Sequence, residues 1–356
     1  MSKICVIGHF GFGKTLLNGQ TIKTKIITEE IENRFGKENV VLLDLAGGVK
    51  KIPYLLFKIP MVLAKCDNLI MMPVENGLEF LTPVLKVWNT LFKRKLHYVV
   101  IGGWLPQFIS DKKWLQNGLM CFHGIYVETN TMKAALEKMG LDNLVVLPNC
   151  KKLDILPEDK LVFPNGVPFR LCTFSRVMKE KGIGSAVQAI MKVNEQLGYV
   201  AFSLDIYGQI WEDSRAWFEN IQNDFPSYVS YKGCVDADKS VATLQDYFAL
   251  LFPTHFYTEG IPGTIIDAYA AGIPVISAKW ESYSDVIDEG KTGIGYEFDN
   301  LQALENVLLQ VASNPKMLLD MKVNCVEKAK GYIPETAISK LTEKFGGGGI
   351  TITSIH

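Results

Sequence analysis

The sequence predicts two α/β domains, each a doubly wound, Rossmann-like parallel sheet with helices on both faces. Three observations carry that prediction. Short apolar runs of strand length alternate with helix-length segments along the whole chain. The alternation runs through two rounds, separated at Leu153–Pro168 by a charged stretch with Pro157, Pro164 and Pro168 and no regular period. And 356 residues exceed what one hydrophobic core usually supports.

In the first round the strand candidates are Ile4–Gly8, Val40–Leu45, Leu69–Pro73, His97–Gly102, Ile125–Glu128 and Val145–Pro148. Helical spacing falls over Gln20–Phe35, Leu78–Leu91 and Asn130–Met139. The second round offers strands at Phe169–Phe174, Phe202–Tyr207, Tyr228–Lys232, Ala249–Pro253, Val275–Ser277 and Gly295–Phe298. Its helices are expected over Gly184–Gln196, Glu212–Asn223, Ser240–Phe248 and Leu301–Ser313. Runs this continuously apolar suit strands buried on both faces, as parallel sheets require. The expected domains are therefore 1–160 and 161–333, with a last helix and loose tail at 334–356.

Composition excludes several classes. A hydrophobic content of 48% and a charged content of 21% describe an ordinary globular protein, and a net charge of −1 gives no global attraction to nucleic acid. The seven cysteines are scattered and form no CxxC or Cys/His cluster, so they read as reduced structural thiols. No stretch offers eighteen or so uninterrupted apolar residues, and the apolar run before Gly8 is too short for a signal peptide. The expected location is the cytoplasm.

Gly8–Thr15 reads GHFGFGKT, a match to the phosphate-cradling pattern GxxxxGK[ST] after a strand, and Asp44 follows the second strand where a metal-binding aspartate would stand. A true P-loop helix runs on through Lys14 and Thr15. Here Asn18-Gly19, a turn dipeptide, interrupts it, and helical period begins at Gln20. A longer glycine-rich loop, His9–Gly19, is the more economical reading; a nucleotide hydrolase or switch stays as the alternative.

The second round concentrates chemistry. Leu250–Ser277, LLFPTHFYTEGIPGTIIDAYAAGIPVIS, reads strand, loop, helix, strand, with Gly272 at the helix stop and Pro274 just beyond. Glu259 and Asp267 bracket the loop-to-helix junction, where open α/β sheets bind ligands. Earlier, a strand ends at Ser175, Arg176 follows, and Lys181-Gly182 precedes a helix: two cations beside a helix N-terminus suit a diphosphate. Gly208 and Gly233 each follow a further strand.

This ordered set resembles the retaining nucleotide-sugar glycosyltransferases of the GT-B fold, specifically family 4. Ser175–Gly182 stands where that family has a G-R-L-x-x-x-K-G-like loop, and Glu259 with Asp267 stand at its E-x7-E. Asn18-Gly19-Gln20 is similar to the family's first-helix start, and Leu147-Pro148-Asn149 to the Pro-Asn step closing its N-terminal domain. Long segments such as HYVVIGGWLP and FSRVMKEKGI resemble the branch serving bacterial capsular and exopolysaccharide assembly.

The resemblance implies two Rossmann-like domains facing across a cleft and transfer of a hexose, with retention, from a nucleoside diphosphate sugar, a UDP-sugar first among them. The implied acceptor is a lipid-linked saccharide. Arg176 and Lys181 would neutralise the donor diphosphate in place of a metal, so no metal or other cofactor is expected. Glu259 would face the donor sugar and Asp267 the ribose, with Gly208, Gly233, Gly260 and the amides of Ile261, Gly263 and Thr264 around the diphosphate and sugar. Gly11, Phe12 and Gly13 would close over the donor. Asp267 is one methylene shorter than the family's usual Glu. Ile101-Gly102-Gly103-Trp104 stands where relatives often place a histidine or aspartate, which leaves His9 as the acceptor-side candidate. In retaining members the leaving phosphate is often thought to take the acceptor proton.

Asp236-Ala237-Asp238 is a DxD triplet in the wrong half for a metal-dependent glycosyltransferase, and it reads as a solvated turn. Lys50–Lys65 and Trp88–Tyr98 mix cations with aromatic and aliphatic residues. They suit either peripheral contact with the inner membrane face or amphipathic helices packed on the sheet. A catalytically idle GT-B scaffold that binds a partner enzyme is the third reading.

Overall fold

The computed structural model describes residues 3–13, 19–164 and 166–345. By packing, the chain divides into two units, Met1–Ile101 with Leu105–Pro148 and Pro334–His356, and Gly102–Trp104 with Asn149–Ile333. Lys14, Thr15 and Asn18, and the glycine-rich tail from 346, lie outside the described residues.

The first unit is built on a six-stranded sheet. Its strands are β1 (Ile4–Gly8), β2 (Val40–Asp44), β3 (Asn68–Met71), β4 (Lys95–Val99), β5 (Gly124–Val127) and β6 (Leu144–Val146). The order is β2-β1-β3-β4-β5-β6 and every pair is parallel. Strands β1, β3 and β5 are buried at every position, which is why they read as unbroken apolar runs rather than alternating ones. The chain leaves β1 for β2 on one side and returns to β3 on the other, so a topological switch point lies between β1 and β3. Among the described residues the helix after β1 runs over Gly19–Phe35.

Asp44 closes β2. Its carboxylate accepts from the amides of Phe10 (2.9 Å), Gly11 (3.3 Å) and Ala46 (2.9 Å), tying the glycine-rich loop to the sheet. Burial raises its pKa, but these backbone hydrogen bonds outweigh that and hold it below the usual carboxylate value. A buried ion pair, Lys23 Nζ to Glu128 at 2.6 Å, links the first helix to the end of β5, and Lys23 also donates to the Val100 carbonyl at 3.1 Å.

The second unit repeats the plan with β7 (Phe169–Phe174), β8 (Phe202–Tyr207), β9 (Val229–Gly233), β10 (Ala249–Phe252), β11 (Val275–Ala278) and β12 (Gly293–Tyr296). Its order is β12-β11-β10-β7-β8-β9, again all parallel, which puts the switch point between β7 and β10. Apolar residues from β7, β8 and the helices Ile183–Leu197 and Leu301–Ser313 fill one layer of core. The helix Gly263–Ala270 and Trp280, Tyr283 and Tyr332 fill another. Each fully buried large side chain contributes about 1.5–3 kcal/mol of transfer free energy.

Packing divides the units at Pro148/Asn149, earlier than the 160/161 boundary read from sequence. Residues 149–161 belong with the second unit because Asn149 donates to the Ile261 carbonyl (2.9 Å) and the Leu156 amide to the Ala270 carbonyl (2.8 Å). The helix Pro334–Thr342 counts with the first unit, where Arg34 donates to the Thr342 hydroxyl and Lys95 to the Phe345 carbonyl.

Candidate functional site

The loops that follow β7 and β10 meet at the second unit's switch point. After β7, the Val177 amide donates to the Gln209 carbonyl (2.9 Å) and the Trp211 amide to the Val177 carbonyl (3.0 Å), so the Arg176 loop continues the β7–β8 pairing. Gly208 permits this approach: a β-carbon there would sit 1.8 Å from the Ser175 carbonyl oxygen, and its φ is +131°. Gly182 is equally constrained, with φ +70° and a β-carbon position 1.7 Å from the Pro253 carbonyl oxygen. Gly208 thus lets the loops after β7 and β8 approach, and Gly182 those after β7 and β10.

Lys181 forms an ion pair with Glu259, and the Thr254 hydroxyl donates to the same carboxylate at 3.1 Å. The Lys181 ammonium also lies 5.0 Å from the Phe256 ring centre and 5.7 Å from that of Phe252. Arg176 is exposed, its guanidinium 5.1 Å from the Trp211 ring centre. Beside Trp211 a cavity of about 570 Å³ is lined by Gln209, Ile210, Glu212, Tyr231 and others. The structure brings Lys181 and Glu259 together and sets Arg176 beside Trp211, while Thr254 and Trp211 carry no local signal in the sequence that marks them out.

Past Glu259 the chain turns through buried Gly260 and Ile261 to Pro262, which caps the helix Gly263–Ala270. The first amides of a helix have no intrahelical acceptor, so Gly263 and Thr264 present donors there. The Thr264 hydroxyl is buried without a hydrogen-bond partner among the described residues. The Ile261 side chain is core and its carbonyl takes the Asn149 side-chain amide. Gly233 closes β9, and its carbonyl accepts from the Gly208 amide at 2.8 Å.

Asp267 lies within the helix Gly263–Ala270. It is 3% exposed, and both carboxylate oxygens lie 2.5 Å from Lys151 Nζ. Burial pushes its carboxyl up, while the Lys151 ammonium and the Ser240 hydroxyl act against that rise. Lys151 was not singled out from the sequence, because nothing local connects it to a residue 116 positions away.

The remaining expectations lie elsewhere. In the first unit, Phe10 and Phe12 stack at 5.1 Å beside Gly11 and Gly13, and Phe12 is exposed. His9 Nδ1 lies 2.9 Å from the Thr21 hydroxyl. His9 also lines a cavity of about 240 Å³ at that unit's switch point, with Gln20, Leu45, Leu55, Val74 and Phe80. Asp236 pairs with Lys239 at 3.2 Å, and among the described residues no cluster of His, Cys, Asp or Glu could hold a metal ion.

Comparison with known proteins places this geometry. Residues 168–314 match the family model described as glycosyl transferases group 1, a match that takes in Arg176, Lys181, Glu259 and Asp267. The amylovoran biosynthesis glycosyltransferase AmsK of Erwinia amylovora is 24% identical over 188 residues, 51% of this chain and 44% of that protein. The putative colanic acid biosynthesis glycosyltransferase WcaL of Salmonella typhimurium is 29% identical over 145 residues, 39% of this chain and 35% of that protein. The chain thus matches less than half the length of these relatives. In structure it is similar to Anabaena HepE in complex with UDP, with a TM-score of 0.75 at 14% identity, covering 96% of this chain and 98% of that one. The fold is the two-domain α/β GT-B fold, and the second unit carries a glycosyl transferases group 1 domain.

Proposed function

We propose that this chain is a retaining hexosyltransferase that takes its sugar from a nucleoside diphosphate sugar, a UDP-sugar first among them. The observation that carries this reading is the Lys181–Glu259 pair at the switch point of the second sheet, inside the group 1 match. A cation there can neutralise a leaving diphosphate, and Arg176 stands on the adjoining loop to share that charge. Binding of the donor would draw Lys181 from Glu259 toward phosphate and free the carboxylate for the sugar hydroxyls. The amides of Gly263 and Thr264, with the unpartnered Thr264 hydroxyl, supply neutral donors for the same oxygens.

The acceptor in this reading is a lipid-linked saccharide of a bacterial surface polysaccharide, as the relatives' amylovoran and colanic acid roles suggest. Among the described residues no helix is long and apolar enough to cross a membrane. Two helices of the first unit nevertheless expose apolar side chains: Phe57 and Met61 on Ile52–Leu63, Val87, Trp88 and Leu91 on Glu75–Phe92. Glu75 and Glu79 open the second of these helices, but no acidic residue occurs in 46–66 or 80–110, and the exposed apolar side chains with the lysines of these stretches suit an anionic membrane face.

The test is transfer by the full chain from a panel of radiolabelled UDP-, GDP-, TDP- and ADP-hexoses to a bacterial lipid-linked saccharide extract, with the product's anomer read by NMR. A product with the donor's anomeric configuration is expected. Nucleotide hydrolysis abolished by Lys14→Ala and untouched by Glu259→Ala would overturn the reading. Co-sedimentation with phosphatidylglycerol vesicles at low salt, absent with phosphatidylcholine, is expected for the membrane contact; equal partition to the supernatant in both would remove it.

A further inference from the structure

The carboxylate expected to meet the donor's ribose is buried and occupied, and the group that occupies it is better placed to meet a ligand. Asp267 is 3% exposed, whereas the Lys151 side chain is 18% exposed. An ammonium has three N–H donors; the two Asp267 oxygens, each 2.5 Å away, account for two of them. The stem of Lys151 runs over the start of the helix Gly263–Ala270, its Cδ 3.6 Å from where a β-carbon on Gly263 would stand. That is ordinary van der Waals distance, so the stem lies against the helix end where ligands are expected.

The backbone beneath Lys151 is fixed on both sides. The Asn149 side chain donates to the Ile261 carbonyl at 2.9 Å and accepts from the Cys150 amide at 3.0 Å, and the Lys151 amide donates to the Tyr332 carbonyl at 3.0 Å. A lysine on a pinned backbone, with its ammonium held by a buried carboxylate, has lost most of the freedom that makes surface lysines poor recognition groups. Asp267, shortened by one methylene relative to glutamate, reaches Lys151 and stops there.

We propose that Lys151, oriented by Asp267, makes the contact to the ribose hydroxyls of the nucleoside diphosphate donor, and that Asp267 acts as its positioning residue. This rests on the donor-site reading above. The shift in chemistry is definite. A carboxylate accepts from ribose hydroxyls, while an ammonium donates to their oxygens, so the site recognises the same ribose through the opposite hydrogen-bond polarity.

The experiment is calorimetric titration of the full chain with UDP, 2′-deoxy-UDP and 3′-deoxy-UDP. Wild type is expected to bind UDP about tenfold more tightly than at least one deoxy analogue, the value of one ordinary hydrogen bond. Lys151→Met with Asp267→Asn removes both charges together, avoids a buried unpaired carboxylate, and should bring that ratio below about twofold. Asp267→Asn alone keeps the ammonium and should preserve a preference of about threefold or more at weaker overall affinity. Thermal unfolding of each variant confirms that the titrated protein is folded. A wild-type ratio in the double variant, or loss of the ratio in Asp267→Asn alone, overturns the assignment to Lys151 while leaving the donor site standing. Failure of wild type to bind any of the three, or any purine or thymidine diphosphate counterpart, overturns the donor-site reading and this inference with it.

Discussion

The two sheets are both six-stranded and parallel, but their strand orders differ, β2-β1-β3-β4-β5-β6 against β9-β8-β7-β10-β11-β12, and so does what stands at each switch point. In the first unit, the point between β1 and β3 opens on a cavity lined mainly by Leu45, Ile52, Leu55, Val74 and Phe80, with His9, Gln20 and Asn76 as polar members. In the second, the point between β7 and β10 holds a lysine, a carboxylate, a hydroxyl and a nearby arginine. In either strand order the switch point marks where an open sheet binds a ligand, while the loop residues fix what kind of ligand it is. An apolar cavity selects by shape and burial; a cationic one selects by charge.

The sharpest way to break that contrast is to remove the charges. Arg176→Ala, Lys181→Ala and Glu259→Ala should each lower transfer by about two orders of magnitude or more, the scale of losing a key electrostatic contact to the leaving group. Val74→Arg in the first unit's cavity should instead raise KM for the acceptor and leave donor affinity within about twofold. Steady-state kinetics with each substrate varied in turn checks both, and equal donor losses in all four variants would dissolve the distinction.

Next in size is the backbone approach that brings the second unit's loops together. Gly182→Ala drives a β-carbon onto the Pro253 carbonyl at a positive φ and should cost about 4 kcal/mol in denaturant unfolding. Gly331, with no atom near its would-be β-carbon, is the control, and Gly331→Ala should change stability by less than about 0.5 kcal/mol.

A third effect is one of pH. Lys322 is fully buried with no hydrogen-bond partner for its ammonium among the described residues, and burial lowers its pKa to about 8. The ordinary lysine value is about 10.4, so between these two values the unfolded chain binds more protons than the native one, and stability rises with pH. Below pH 8 the penalty is present in full. Lys322→Met should stabilise the second unit by up to about 3 kcal/mol at pH 7, and the gain should shrink as pH climbs toward 10. Chemical denaturation at a series of pH values reads both the gain and its slope.

The smallest effect belongs to the first unit. Asp44 has a lowered pKa, so its contribution is present above the ordinary carboxylate value and is lost as pH falls through the folded one. Asp44→Asn should cost about 1–2 kcal/mol at neutral pH, because three backbone amides lose a charged acceptor. Hydrogen exchange at Phe10 and Gly11 should rise with it.

These contrasts also mark what the sequence made legible. Every strand of both sheets was readable, because strands buried on two faces must be apolar along their whole length. Glu259 and Lys181 stood out only as members of an ordered set of loop residues, because a single charged residue in a loop is most often solvated surface. The short helices Leu105–Ile109 and Lys316–Leu319 were not, since one turn is too little to show a period. The start of the second unit at Asn149 was also hidden, because its evidence is a set of hydrogen bonds to Ile261, Ala270 and Tyr332. Lys151 escaped for the same reason: its meaning lies in Asp267, which only folding brings to it.

The central claim is that the second unit's switch point is the donor site. Equilibrium binding of a UDP-hexose to the full chain, to Arg176→Ala, to Lys181→Ala and to Lys14→Ala tests it most directly. The account predicts saturable binding to wild type, retained within about threefold in Lys14→Ala and weakened at least about tenfold in each of the other two, as expected for lost charge-assisted contacts to a diphosphate. Binding abolished in Lys14→Ala and unchanged in Arg176→Ala and Lys181→Ala would contradict it.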